Sequence, residues 1–335
     1  MRFLKQLLVF TLLSATLAAG WGVWWLNTPL TLPDATRAEA PLDVTITPGS
    51  SARAVARQLV EAGVDTPSSV LYAWFRLSGH AREIKAGAYE LALGTTPRSL
   101  LDKLVRGEQA LRSVVFLEGW NIREVLAALR ASPDLTQDLE GLSMAQVMAL
   151  VGQPGRHPEG RFYPDTYRVV KHASASSVLQ LAAQTMEQRL SEAWAQRSAT
   201  TPLKNPEEAL ILASIIEKET AQDSDRAMIG GVFSNRLRIG MRLQTDPTVI
   251  YGLGESFDGN LRRRDLERDS AYNTYIRAGL PPTPIAMPAM ASLLAAVRPA
   301  ETRALYFVAR GDGFSQFSAT LDEHNAAVRR FILRR

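Results

Sequence analysis

Cysteine is absent from this 335-residue chain, which excludes disulfides, thiolate nucleophiles, thiolate metal ligands and lipid-modified cysteines together. Histidine is nearly as scarce. His80, His157, His172 and His324 stand far apart, with no HExxH or other close ligand spacing, so neither a metal nor another cofactor is expected. No G-x-S-x-G stretch is present, which argues against a serine hydrolase and leaves carboxylates as the main chemical resource. The formal net charge of +4 identifies no partner, and nucleic acid is not expected as one.

Charge is also missing locally. Between Lys5 and Asp34 no residue is charged, and residues 6–26 are apolar except for Gln6, Thr11, Ser14 and Thr16. As a helix rising about 1.5 Å per residue, this stretch reaches about 30 Å, the thickness of a bilayer's hydrocarbon core. Arg2 and Lys5 place residues 1–5 in the cytoplasm, Trp21, Trp24 and Trp25 belong in the far interface, and everything beyond is expected outside. The small residues of 15–20 resemble a cleavage site, but the apolar run continues past them, so an uncleaved single-pass membrane anchor is expected. Residues 27–42 then read as an extended linker.

Roughly 300 residues follow, enough for two or three cores. Aligning Gly49, Gly94 and Gly119 exposes a weak internal repeat: strand-like stretches at 43–47, 88–93 and 113–117 each lead through a turn into an amphipathic helix. The segment Lys85-Ala86-Gly87-Ala88-Tyr89-Glu90-Leu91, continued by Thr96-Pro97-Arg98-Ser99-Leu100-Leu101, resembles a LysM module, the small fold that binds N-acetylglucosamine polymers. The expected architecture is α+β: a membrane helix over 6–26, a small LysM-like domain over 43–110 and a larger mixed α/β catalytic domain over 111–335. Within the latter, 132–201 is helical in pattern except for a break at 152–164, rich in glycine and proline.

The strongest chemical signal is the end of a helix. Asn205 is the predicted N-cap, Pro206 opens the helix and Glu207 and Glu208 occupy its positive first turn. The apolar run 209–216 then delivers Glu217-Lys218-Glu219 into the interior, where burial and the negative helix end favour a protonated carboxyl. That is what a general acid requires. Glu219 projects about 200 degrees away from Glu217 around an ideal helix, so it is expected to be a structural ion pair with Arg226 or Arg236 and only secondarily catalytic. Three other segments carry groups suited to holding a sugar: Glu159, Phe162 and Asp165 in the break; Gln244, Thr245, Asp246 and Tyr251; and Tyr272, Asn273, Thr274 and Tyr275.

Taken together, these residues resemble the YceG-like family of endolytic murein transglycosylases. The match is densest over 213–285, in Glu217-Lys218-Glu219-Thr220, in Gln244-Thr245-Asp246-Pro247-Thr248 and in Tyr272-Asn273-Thr274-Tyr275. The family's Glu-Gly-aromatic-aromatic-Pro-Asp-Thr segment falls on 159–166, with Arg161 where an aromatic or aliphatic residue is usual. The resemblance implies that Glu217 is the catalytic acid. It also implies that peptidoglycan glycan strands are the substrate, cut within the strand between N-acetylmuramic acid and N-acetylglucosamine to leave 1,6-anhydro ends. The implied setting is a bacterial inner membrane with the catalytic part periplasmic. Confinement near the membrane points to nascent strands, whose elongation the cut would terminate, and to peptidoglycan synthases as neighbours.

Overall fold

The computed structural model describes residues 2–33 and 41–333. They divide into two compact units, one formed by 1–112 with 168–172 and the other by 113–167 with 173–335.

The first unit begins with α1 (Arg2–Leu26), whose window Val9–Leu26 is long and apolar enough to cross a membrane. The order continues β1 (Leu42–Ile46), α2 (Ala52–Glu61), α3 (Ser68–Leu77), β2 (Gly87–Leu91), α4 (Pro97–Arg106). β1 and β2 are antiparallel, with Leu42 opposite Leu91 and Ile46 opposite Gly87. Alternation turns Val44 and Ile46 inward beside Tyr89 and Leu91, where they meet Val55 and Leu59 of α2 and Leu100 and Leu104 of α4.

Two features differ from the sequence expectation. Residues 27–33 do not behave as a free linker. Leu30 and Leu32 are buried in this core, Trp25 packs against it, and the Leu30 N–H donates to the Thr95 carbonyl at 2.8 Å. Of the rest of the expected linker, 34–40 lies outside the described residues and Leu42 opens β1. Residues 168–172, expected in the larger part, fold with the first unit, where the Lys171 N–H donates to the Ala110 carbonyl at 2.8 Å. Asp43 and Glu90 face each other across β1 and β2, a repulsive pairing, and Lys171 Nζ reaches both at 2.8 and 3.0 Å.

The chain continues with β3 (Leu111–Val115), α5 (Ile122–Arg130), α6 (Met144–Leu150) and β4 (Thr166–Val170), which pairs with β3 where a helical pattern was expected. Then come α7 (Ala175–Ala195), α8 (Pro206–Glu219), α9 (Asp223–Arg238), α10 (Asp246–Leu253), α11 (Arg263–Glu267), α12 (Met290–Val297), the antiparallel pair β5 (Tyr306–Ala309) and β6 (Ser315–Ser318), and α13 (Leu321–Phe331). α8 lies in the middle of the second unit's core, touching α7, α9, α10 and α12. Close approach of α9 to α12 depends on Gly230, where an added Cβ would stand 2.3 Å from the Ala295 carbonyl oxygen. This packing surrounds the helix that carries Glu217.

Candidate active site

α8 starts as its sequence requires. The Asn205 side chain accepts from the Glu208 N–H, Pro206 occupies the first turn, and all of 209–216 is buried. The helix runs to Glu219 before Thr220 leaves in an extended conformation. Glu217 is thereby carried into the protein with its side chain only 4% exposed. Its Oε2 accepts the Ala289 N–H at 2.9 Å, and its Oε1 lies 3.4 Å from Nη2 of Arg226.

A turn lies against this carboxyl. Gly119, at φ +75°, lacks a Cβ that would stand 3.9 Å from Cγ of Glu217 and 3.6 Å from Cδ of Lys218. Lys218 Nζ donates to the Gly119 carbonyl at 3.2 Å, Gly119 N–H donates to Met287, and Met287 N–H donates to Trp120. The Gly119 turn and the segment ending at Ala289 thus pair with each other beside the acid. In the sequence Gly119 was legible only as the third mark of a repeat; its proximity to Glu217 spans about a hundred residues and left no local signal.

Glu159 is also interior, at 1% exposure, so it is not a surface sugar contact. Its Oε1 accepts the Ile122 N–H at 3.0 Å, at the start of α5. Burial pushes its carboxyl up to about 7, against hydrogen bonds from Tyr251 and the Ile122 and Gly160 N–H groups and the charge of Arg123. Phe162 is fully buried and serves packing rather than ring stacking on a ligand. Asp165 is exposed and accepts the Thr166 N–H at 2.7 Å. Arg161 points inward and pairs with Glu207, tying this turn to the first turn of α8.

A second group of predicted residues forms around Glu219. Thr245 Oγ1 donates to Glu219; the Thr245 N–H donates to Thr274 Oγ1 at 3.1 Å; and the Thr248 and Thr274 hydroxyls lie 2.9 Å apart. Gln244 N–H donates to the Thr274 carbonyl, and Tyr275 O–H donates to Asp246 Oδ1 at 2.5 Å. Burial pushes the Glu219 carboxyl up to about 7, opposed by the Thr245 hydrogen bond, reinforced by Asp246 and opposed by the positive charge of Arg236. The expected ion pair of Glu219 is therefore not formed. Arg226 takes Glu217 and Asp223, while Arg236 donates to the carbonyls of Leu305 and Leu243.

Thr245, Asn273 and Thr274 are buried, and Asn273 Nδ2 donates to the carbonyls of Leu266 and Arg268, so these three shape loops instead of presenting groups outward. Gln244 and Asp246 are exposed, and Gln244 holds φ +49°, a conformation disfavoured for residues other than glycine. Tyr251 and Tyr272 pack edge to face at 4.9 Å, both half-buried. The structure thus separates the predicted residues into Glu217 with the Gly119 turn, the buried Glu159 and Phe162, an interior network around Glu219, and the exposed or half-buried Asp165, Gln244, Asp246, Tyr251, Tyr272 and Tyr275. A cavity of about 340 Å³ lined by Leu126, Leu129, Leu142, Met144 and Val147 contains none of them. Among the described residues, no group of three or more histidines and carboxylates is placed to hold a metal.

Comparison with known proteins bears on residues 44–330, which match the model of the YceG-like family. The chain is 31% identical over 316 residues to a Bacillus subtilis protein named endolytic murein transglycosylase, covering 87% of this chain and 85% of that one. A protein of the same name from Streptococcus pneumoniae is 24% identical over 330 residues, covering 89% of this chain and 59% of its own length. The crystal structure of a YceG-like protein from Listeria monocytogenes superposes with a TM-score of 0.54 at 30% identity, covering 86% of this chain and 99% of that one.

Proposed function

The chain belongs to the YceG-like family, and from that premise we propose that it is an endolytic murein transglycosylase with Glu217 as its acid and base. The observation that carries this reading is the environment of Glu217: a carboxyl 4% exposed, at the end of a buried helix, held by Arg226 and the Ala289 N–H.

The reaction asks one carboxyl to do two things. Glu217 gives its proton to the bridging oxygen as the bond from muramyl C1 to that oxygen breaks. The resulting carboxylate takes the proton of the muramyl C6 hydroxyl as that oxygen bonds to C1, closing the 1,6-anhydro ring. The nucleophile is part of the substrate, so its effective concentration is high and no second catalytic carboxylate is required. Between the two transfers Glu217 is an anion, with the Ala289 N–H donating to its Oε2 and Nη2 of Arg226 3.4 Å from its Oε1. Glu219, with its carboxyl pushed up to about 7, largely avoids adding a second full negative charge two residues away below that pH. Gln244, Asp246, Tyr251, Tyr272 and Tyr275 are the groups offered to the glycan; Glu159, Thr245, Asn273 and Thr274 hold the loops that present them.

The order strand, helix, helix, strand with antiparallel strands supports a LysM-like reading of the first unit, in which it binds glycan. α1 supports a single-pass inner-membrane anchor with a cytoplasmic N-terminus and a periplasmic catalytic part; cysteines introduced after residue 41 that reject membrane-impermeant reagents would reverse that topology. An anchored endolytic enzyme reaches strands near the membrane, which supports a role in ending nascent strands beside peptidoglycan synthases. Crosslinking in cells that never captured a synthase would remove that last element.

The deciding experiment is mass spectrometry of purified glycan strands treated with the full chain in detergent micelles and with its Glu217→Gln variant. Anhydro-muramyl ends from the parent alone are expected. Free reducing ends would make the protein a water-using hydrolase, and intact strands from both would leave it a binding protein.

A further inference from the structure

We propose that Asp223 is a positioning residue for the acid, acting through Arg226; the inference rests on the reading of Glu217 given above. Asp223 and Arg226 are three residues apart in the first turns of α9 and share a face of that helix. The Arg226 side chain is 8% exposed, and its Nη1 donates to Asp223. Its Nη2 lies 3.4 Å from Glu217, longer than a usual hydrogen bond, and its Nε is buried with no partner among the described residues. A nearly buried guanidinium is therefore shared between two carboxylates, one of them 89% exposed.

A proton donor must spend part of its cycle neutral. A buried guanidinium left without a counter-charge is strongly unfavourable, so Arg226 alone would hold Glu217 as the anion. Asp223 removes that obligation. When Glu217 is protonated, Arg226 remains paired with Asp223; when Glu217 gives up its proton, Nη2 is already in place to meet the charge. Asp223 is thus the counter-ion that lets the acid be acidic, while Arg226 keeps the anion tolerable.

Other charges around Glu217 do not supply this function. On its own helix, Lys218 is spent on the Gly119 carbonyl and Glu219 on Thr245. Glu118 is exposed beside the Gly119 turn, and Asp225 on α9 accepts the Ser315 N–H. α10 brings Asp246, bonded to Tyr275; α7 brings Glu187, Arg189 and Glu192, the latter two paired; α12 carries no titratable side chain.

The test is the pH profile of anhydro-product formation by the full chain and by Asp223→Asn. Loss of Asp223, whose exposed carboxylate is screened by solvent, is expected to move the alkaline limb of kcat down by about half a pH unit, lowering turnover near that limb roughly two- to threefold with KM little changed. Asp223→Glu should restore the parent profile, which a purely structural role for the aspartate would not require. On an Arg226→Gln background the Asp223→Asn change should add no further shift. A parent-like profile for a folded Asp223→Asn variant, with the parent active and Glu217→Gln inactive, would overturn this inference alone. Absence of anhydro ends from the parent would instead overturn the reading beneath it.

Discussion

The segments opening with β1, β2 and β3 share one design. Each runs from a strand through a glycine at positive φ, Gly49 at +78°, Gly94 at +88° and Gly119 at +75°, to a helix whose N-cap stands two residues later: Ser51, Thr96 and Asn121. They differ in what surrounds the turn. A Cβ at Gly49 or Gly94 would meet nothing within 4 Å among the described residues, whereas at Gly119 it would touch Lys218 and Glu217. The first two turns are capped by nearby hydroxyls, while the third adds the distant Glu159 carboxyl on Ile122. A backbone device that elsewhere only reverses the chain has here been placed beside Glu217; its glycine is required by the positive φ, and a Cβ there would sit in ordinary contact with the side chains of Lys218 and Glu217.

That contrast can be broken at its chemical end first. Glu217→Gln is expected to reduce anhydro-product formation by about 10²- to 10⁴-fold in a folded protein, measured by single-turnover kinetics. The buried clamp of the third turn is next. Glu159 is pushed from the usual carboxylate range near 4.5 up to about 7, so between those values the native state keeps a proton that the unfolded chain has released. Stability therefore falls as pH rises through that window and levels off above it. Glu159→Gln should remove roughly 3 kcal/mol of that fall, read from denaturant unfolding of the unit containing it between pH 4.5 and 7.5; an unchanged slope would deny the carboxyl its interior role.

Smaller effects sharpen the comparison. Alanine at Gly49, Gly94 or Gly119 should cost about 1–2 kcal/mol each, because all three are left-handed. Only Gly119→Ala should also lower turnover, and equal activity in all three variants would show that closeness to Glu217 has no consequence. Last, Ser51→Ala, Thr96→Ala and Asn121→Ala should each lose about 1 kcal/mol by thermal melting, with the Asn121 loss the most sensitive to Glu159→Gln.

Some of this was legible before any coordinates. The α8 start and its delivery of Glu217 followed from Asn205, Pro206 and the run 209–216, since caps and apolar periodicity are local. The three turns were legible for the same reason. What the chain did not disclose was partnership across distance. Phe162 and Asn273 look like ligand contacts in a list of residues, yet each is enclosed by packing that depends on the whole unit. Arg161, which stands where the family usually has an aromatic or aliphatic residue, points inward and pairs with Glu207. β4 was missed because five residues with Arg168 among them carry too little alternation to outweigh a helical neighbourhood. The ion pair assigned to Glu219 failed because proximity in sequence gave no hint that Arg226 would be occupied by Glu217 and Asp223.

The junction after α1 has a mechanical consequence. Asn27 Nδ2 and Thr28 Oγ1 donate back to the carbonyls of Val23 and Trp24, Trp25 packs on the first unit's core, and Leu30 and Leu32 are built into it. A flexible leash would give that unit a distribution of heights above a bilayer, broadening with the square root of leash length. Here α1 and the first core share side chains, so the standoff of that unit from α1 is a dimension of the fold, and lengthening it would require cutting through a hydrophobic core instead of adding residues to a tether.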